Sequence, residues 1–175
     1  MIEVFCARFE GDEHLYGHAL ARYALEKIFG DPGLILTPNK KPLAVFPGAH
    51  LSISHSLDVC AVAVADEPVG LDIELNKRPV ERLLKLAGRF FAPDELEYVR
   101  SDPERRVYEI WCEKESYVKY TGKGFSQSFP GFSVFGLEEC FSSFDVYGHF
   151  GCVCAADGCN IAPVFVNCAE FSRYL

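Results

Sequence analysis

The residues able to do chemistry lie in two short segments, Gly70-Leu71-Asp72-Ile73-Glu74 and Trp111-Cys112-Glu113-Lys114-Glu115-Ser116-Tyr117-Val118-Lys119. Asp72, Glu74 and Glu115 supply carboxylates, and Lys114 and Lys119 supply cations. That is the equipment for holding a divalent metal against a pyrophosphate. Around the first segment the apolar residues Val69, Leu71, Ile73 and Leu75 keep a strict period of two. This pattern predicts a half-buried strand with Asp72 and Glu74 together on its other face. At roughly 3.3 Å rise per residue, alternate carboxylates can share one Mg²⁺. The second segment has helical character, and Glu115 and Lys119 stand at i and i+4 on one face. Taken singly, each segment has a plainer reading: a solvated strand face, and a surface ion pair worth a few tenths of a kcal/mol.

Both segments together resemble one family. Gly-x-Asp-x-Glu followed by Trp-x-x-Lys-Glu-Ser-x-x-Lys is similar to the motifs of the 4′-phosphopantetheinyl transferases of the Sfp type. Lys41-Pro42, Leu51-Ser52-Ile53-Ser54-His55-Ser56, Phe90-Phe91-Ala92-Pro93-Asp94-Glu95 and Gly122-Lys123-Gly124 resemble further stretches of that family, in its order, across residues 41–124. The resemblance implies an α+β fold of two pseudo-two-fold-related halves, each a helix plus about three strands. Residues 1–75 would carry the coenzyme A nucleotide contacts and the metal strand, and residues 76–175 the catalytic helix and carrier-protein docking. The cleft between the halves would transfer 4′-phosphopantetheine from coenzyme A to a serine of an apo acyl or peptidyl carrier protein, releasing adenosine 3′,5′-bisphosphate.

Residue roles follow from the same resemblance. Asp72, Glu74 and Glu115 would hold Mg²⁺, with Glu115 or a metal-held water as the base. Lys119 would face the departing phosphate. Lys114 falls within the apolar stripe of Val107, Ile110, Trp111 and Val118. It either snorkels from the core edge or reaches phosphate in the cleft, the reading adopted here; Trp111 reads as core. His55, with Ser54 beside it, would contact the 3′-phosphate of coenzyme A, Lys41 and Pro42 would line the adenine, and Lys123 could add charge. His14, His18, His50 and His149 receive no role. The first 40 residues depart from the family, whose longer members carry basic 3′-phosphate contacts there. Arg8, Arg22 and Lys40 are the available substitutes.

Composition narrows the rest. The 175 residues are 49% hydrophobic with net charge −8, enough for a substantial core and adverse to nucleic-acid binding. The longest apolar run, 59–65, is too short for a bilayer span of about 20 residues. No signal-like start is visible, so a soluble cytoplasmic protein is expected, and two halves in one chain imply a monomer. Eight cysteines lack zinc-site spacing and read as reduced thiols. Arg78, Arg82, Lys85 and Arg89 fall on one stripe of a helix that Pro79 could open, a docking surface for an acidic carrier.

The elements that must position these groups can be read in outline. Asp12 and Gly30 bracket a helix over 12–29. Strands are predicted near 51–54, 59–65 and 69–75, helices over 80–89, 93–100 and 103–120, and strands again at 132–135, 143–147, 151–155 and 163–168. Two rivals share these features. A Mg²⁺-dependent pyrophosphate hydrolase would not need the Ser-His-Ser and Lys-Pro elements. A non-catalytic relative that binds coenzyme A or a carrier would not need intact Asp72, Glu74, Glu115 and Lys119.

Overall fold

The computed structural model describes residues 1–37, 42–75, 77–122, 128–158 and 160–175. Its elements stack as helix, sheet, sheet, helix, an α+β architecture. Helix α1 (Glu13–Phe29) begins where Asp12 accepts the Leu15 amide at 2.8 Å and ends at Gly30, whose φ of 74° lets the last turn close. The helix covers one face of a sheet ordered β4-β5-β1-β9, formed by β4 (His50–Ser56), β5 (Val59–Ala65), β1 (Ile2–Arg8) and β9 (Val164–Phe165). Leu20, Ala24 and Leu25 of α1 meet Val62, Val64 and Phe5 there.

The other face of that sheet presents Val4, Cys6, Ala61 and Ala63 to a second sheet, ordered β6-β8-β7. Its strands are β6 (Gly70–Leu75), β8 (His149–Ala155) and β7 (Cys140–Val146), paired antiparallel. Leu71 and Ile73 of β6 point into this middle layer. The outer face of the second sheet is covered by α4 (Pro103–Thr121), with α2 (Val80–Phe90) and α3 (Pro93–Arg100) packed beside it. Strand β5 is buried along its whole length between helix and sheet, which is why Val-Cys-Ala-Val-Ala-Val-Ala reads as a continuous apolar run rather than an alternating one.

Helices α1 to α4, β5 and the strands β4, β6, β7 and β8 fall at or near where the sequence predicts them. Elsewhere the structure differs. Strand β1 adds a member that periodicity did not suggest. A small hairpin of β2 (Leu34–Leu36) and β3 (Pro42–Ala44) occupies what reads as a turn-rich connector. The expected strand at 132–135 is instead a 3-10 turn, Val134–Gly136, because the Val134 amide is taken by the Glu95 carboxylate and not by a neighbouring strand. Of 163–168 only Val164–Phe165 is extended. It pairs parallel to β1, and Asn167 then caps the short helix α5 (Cys168–Phe171). The sheets also do not divide at residue 75. β6 is hydrogen-bonded to β8, and β9 crosses back to the first sheet, so the change of sheet falls at the turn before β6.

Candidate functional site

Gly70 brings the strand and the helix of the two motifs together. A Cβ at this position would lie 1.8 Å from the Ser116 carbonyl oxygen and 2.6 Å from the Tyr120 nitrogen, so α4 rests on the strand backbone with no side chain between. Asp72 is in register with Cys152 of β8, whose side chain joins the cluster under α4, and cross-strand partners share a face. The polar face of β6 is therefore covered by a helix, not by water. Asp72 is 6% exposed, which sets aside the plainer reading of a solvated strand face.

Buried carboxylates need partners, and β4 supplies some of them. Ser52, Ser54 and Ser56, alternate residues of β4, accept the amide protons of Leu71, Ile73 and Leu75 at 3.0, 3.3 and 3.2 Å. A row of hydroxyls thus does the work of a backbone ladder between the sheets. Ser54 Oγ also donates to Asp72 Oδ1 at 2.8 Å, and Ser56 Oγ reaches Glu74 at 3.5 Å. Lys119 completes the arrangement from α4, its Nζ lying 2.8 Å from Asp72 Oδ1, 2.8 Å from the Leu71 carbonyl and 3.1 Å from Ser54 Oγ. The partner of Lys119 is Asp72 across the interface, not Glu115 one turn away on its own helix.

Asp72 Oδ1 is thus surrounded, while Asp72 Oδ2 is buried with no hydrogen-bond partner. Glu74 and Glu115 crowd the same region. Burial first, then the charge of Asp72, pushes Glu74 above its ordinary value and Glu115 up to about 7. A buried unpartnered carboxylate oxygen beside two further carboxyls whose ionisation burial disfavours is an arrangement that a hard dication relieves, so the donor set fits Mg²⁺. Among the described residues, Asp72, Glu74 and Glu115 do not close as a set to within 4.8 Å of one another. Holding one ion requires Glu74 or Glu115 to turn inward.

Lys114 does not join this group, contrary to the phosphate role expected of it. The side chain is 0% exposed and pairs at 2.8 Å with Glu95, also 0% exposed. It donates further to the Phe129 and Phe132 carbonyls and sits 4.0 Å from the Phe132 ring centroid. With its donors spent inside the core, it cannot reach phosphate. Glu95 is equally engaged, accepting the Ala92 and Val134 amides. The Phe-Phe-x-x-x-Glu segment is thus tied to the helix of the second motif by a buried ion pair. Ser54 needs a related correction, since its hydroxyl is committed to β6 and Lys119 and not available to a nucleotide.

Above Glu115 and Lys119 opens a cleft of about 730 Å³. Pro42 and Leu51 line one wall, Trp111 and Val118 of α4 another, and Phe90 and Phe129 a third, with Arg89 at its edge. Trp111 serves both purposes, packing against Phe90 and Phe129 with centroids 5.6 and 5.5 Å away while facing the cleft. His55 is half-buried, its Nδ1 3.2 Å from Glu13 Oε2. Lys41 and Lys123 lie outside the described residues, as does Lys40. Arg8 is engaged by Asp58 at 3.6 Å and Arg22 by the carbonyls of Pro32 and Leu34, so neither is a ready substitute for the missing basic contacts. Arg78, Arg82, Lys85 and Arg89 are exposed and form no ion pair among the described residues. Gly70, Ser52, Ser56 and Glu95 stand within the sequence motifs, but their structural roles are not read from the sequence. The serines did leave a signal, a polar alternation opposite Leu51 and Ile53.

This is a two-sheet sandwich with acidic groups and a lysine clustered between strand and helix beside an apolar cleft. The family described as the 4′-phosphopantetheinyl transferase superfamily matches residues 68–157, the stretch that carries β6, α2, α3, α4, β7 and β8. The chain belongs to that superfamily. It is 36% identical over 129 residues to the 4′-phosphopantetheinyl transferase psf-1 of Bacillus pumilus, covering 69% of this chain and 54% of the relative. It is 36% identical over 142 residues to a 4′-phosphopantetheinyl transferase of Bacillus subtilis, covering 74% of this chain and 62% of the relative. With the 4′-phosphopantetheinyl transferase HetI of Nostoc sp. it shares 40% identity over 82 residues, covering 45% and 34%. The chain thus spans between a third and about three fifths of the length of these relatives. No helix among its described residues is long and apolar enough to cross a membrane.

Proposed function

We propose that this chain transfers 4′-phosphopantetheine from coenzyme A to a serine hydroxyl of an apo acyl or peptidyl carrier protein. The observation that carries this reading is the divided environment of Asp72. One carboxylate oxygen is held by Ser54 and Lys119, and the other is buried and unpartnered beside Glu115 and an apolar cleft. Asp72, Glu74 and Glu115 would hold Mg²⁺, which when bound neutralises charge on the pyrophosphate. Glu115, or a water held by the metal, would accept the proton of the attacking serine. The serine oxygen attacks the phosphorus bearing pantetheine, and the bond to adenosine 3′,5′-bisphosphate breaks. Lys119 is placed to offset the charge that develops on the leaving phosphate. His55 and Pro42 would contact the nucleotide, and the apolar walls of the cleft suit the pantetheine arm.

The exposed stripe of Arg78, Arg82, Lys85 and Arg89 would receive an acidic carrier. Arg82→Glu with Arg89→Glu should slow the reaction at low carrier concentration more than at saturation, and less so as salt shortens the Debye length to about 8 Å. All three walls of the cleft come from one chain, which supports a monomeric enzyme. The seven described cysteines are free thiols, in keeping with a cytoplasmic location. The reading is tested by the intact mass of an apo carrier protein after incubation with coenzyme A and Mg²⁺. Gain of the phosphopantetheine mass is expected. Free products without a modified carrier would indicate pyrophosphate hydrolysis, and no turnover at all a binding protein.

A further inference from the structure

We propose that Glu13, His14 and His55 form a separate site for a borderline transition-metal dication such as Zn²⁺ or Ni²⁺. One ligand atom from each of the three lies within 4.8 Å of the other two. They come from two elements, Glu13 and His14 from the first turn of α1 and His55 from β4. The packing of α1 on β4 fixes their relation, because Gly17 brings the helix so close that an added Cβ would stand 3.1 Å from Ile53. His55 Nδ1 and Glu13 Oε2 are 3.2 Å apart. Two donors on one tetrahedral ion with bonds of about 2.0–2.1 Å sit roughly 3.3 Å apart, so this pair already has the spacing an ion would impose. The His14 ring stands edge-on to that of His55 at 5.3 Å between centroids, and Glu13 and His14 are exposed, free to make the last adjustment.

The donor chemistry selects the metal. Imidazole and carboxylate without thiolate suit Zn²⁺, Ni²⁺ and Cu²⁺ and are poorly matched to Mg²⁺ or Ca²⁺. Glu13 is also not spent on the helix, since Asp12 performs the capping. Three protein ligands on a partly exposed surface leave a coordination position for water. Its ligands are not Asp72, Glu74 or Glu115, but His55 is also the residue proposed above to contact the nucleotide, so metal and coenzyme A would compete for that side chain. Metal binding measured without coenzyme A is read apart from the transfer reaction.

Two plainer accounts compete, a lone Glu13–His55 hydrogen bond and a helical chelate of His14 with His18 one turn on. Isothermal titration of the untagged chain with Ni²⁺, in excess Mg²⁺ to fill hard oxygen sites, separates them. The expected result is one equivalent of Ni²⁺, with His14→Ala and His55→Ala each weakening it beyond the ~10–100-fold that loss of a mere outer partner costs. His18→Ala should leave it unchanged. Circular dichroism checks that the variants fold, which the exposure of His14 makes the expected outcome. Absence of Ni²⁺ binding to the parent chain overturns the site. So does binding that survives both His14→Ala and His55→Ala, or binding that depends on His18 and not on His55.

Discussion

The Ser54 hydroxyl donates to Asp72 Oδ1 at 2.8 Å and accepts the amide of the adjacent residue, Ile73, at 3.3 Å. One small side chain therefore both joins β4 to β6 and fixes which oxygen of Asp72 stays unpartnered. Removing it strands a buried amide and loosens a buried carboxylate. Ser54→Ala should cost about 1–3 kcal/mol, read by urea unfolding, and should also raise the Mg²⁺ concentration needed for half-maximal transfer. A stability loss with an unaltered Mg²⁺ requirement would show the hydroxyl to be a joint between sheets with no part in presenting Asp72.

The Lys114–Glu95 pair makes a sharper stability prediction. Lys114→Met leaves Glu95 buried without its counter-charge, and breaking a buried pair from one side costs about 3–5 kcal/mol. Adding Glu95→Gln removes the orphaned charge and should restore more than about 1 kcal/mol of that loss. A double variant no more stable than Lys114→Met would mean that the amide contacts of Glu95, and not the ion pair, hold α3 and the 3-10 turn in place.

How far the sequence disclosed these facts depends on whether the signal was local. Asp12, Gly30, the apolar run of β5 and the alternation around Asp72 are short-range patterns, and each marked its element. Lys114 shows the limit. Its place on an apolar stripe is visible in the sequence, which leaves snorkelling or phosphate as its readings. Its actual partner, Glu95, sits nineteen residues earlier on another helix and emerges only from the packing of α3 on α4. For Asp72 a solvated face stays open as the plainer reading beside the metal site, because period-two alternation says which residues share a face and not what covers it. Gly70, whose missing side chain admits α4, settles that question only in three dimensions. Strand β1 was overlooked because both partners, β5 and β9, lie far along the chain.

Glu113 offers a test that does not involve catalysis. Burial, with Glu109 and Glu95 nearby, pushes its carboxyl up to about 8. From the ordinary value of 4.5 up to about 8 the folded chain retains a proton that the unfolded chain has released, so stability present below pH 4.5 declines as pH rises through that window. Glu113→Gln removes this decline. Without added metal, the variant should match the parent chain near pH 4.5 and exceed it by more than about 1 kcal/mol at pH 8.5, given 1.36 kcal/mol per pKa unit. Parallel stability–pH curves for the two proteins would show that Glu113 ionises freely in the fold.

Glu115 and Lys119 lie one turn apart on α4 but are assigned different work, and kinetics can tell them apart. Lys119 touches Asp72 Oδ1 and leaves Oδ2 free, so it is placed beside a metal ligand without competing for the open oxygen. Lys119→Ala should therefore lower the chemical step by a hundredfold or more while leaving Mg²⁺ binding intact or tighter, because a neighbouring positive charge is gone. Glu115→Gln should impair both Mg²⁺ binding and turnover, since its carboxylate is proposed as ligand and base. The competing account is that Lys119 only anchors β6 to α4. In that case its loss would appear in urea unfolding and in a raised Mg²⁺ requirement, with turnover at saturating Mg²⁺ nearly unchanged. A hundredfold fall in turnover at saturating Mg²⁺, about 2.7 kcal/mol of barrier, in a variant that still folds and binds the metal, assigns Lys119 to the reacting phosphate.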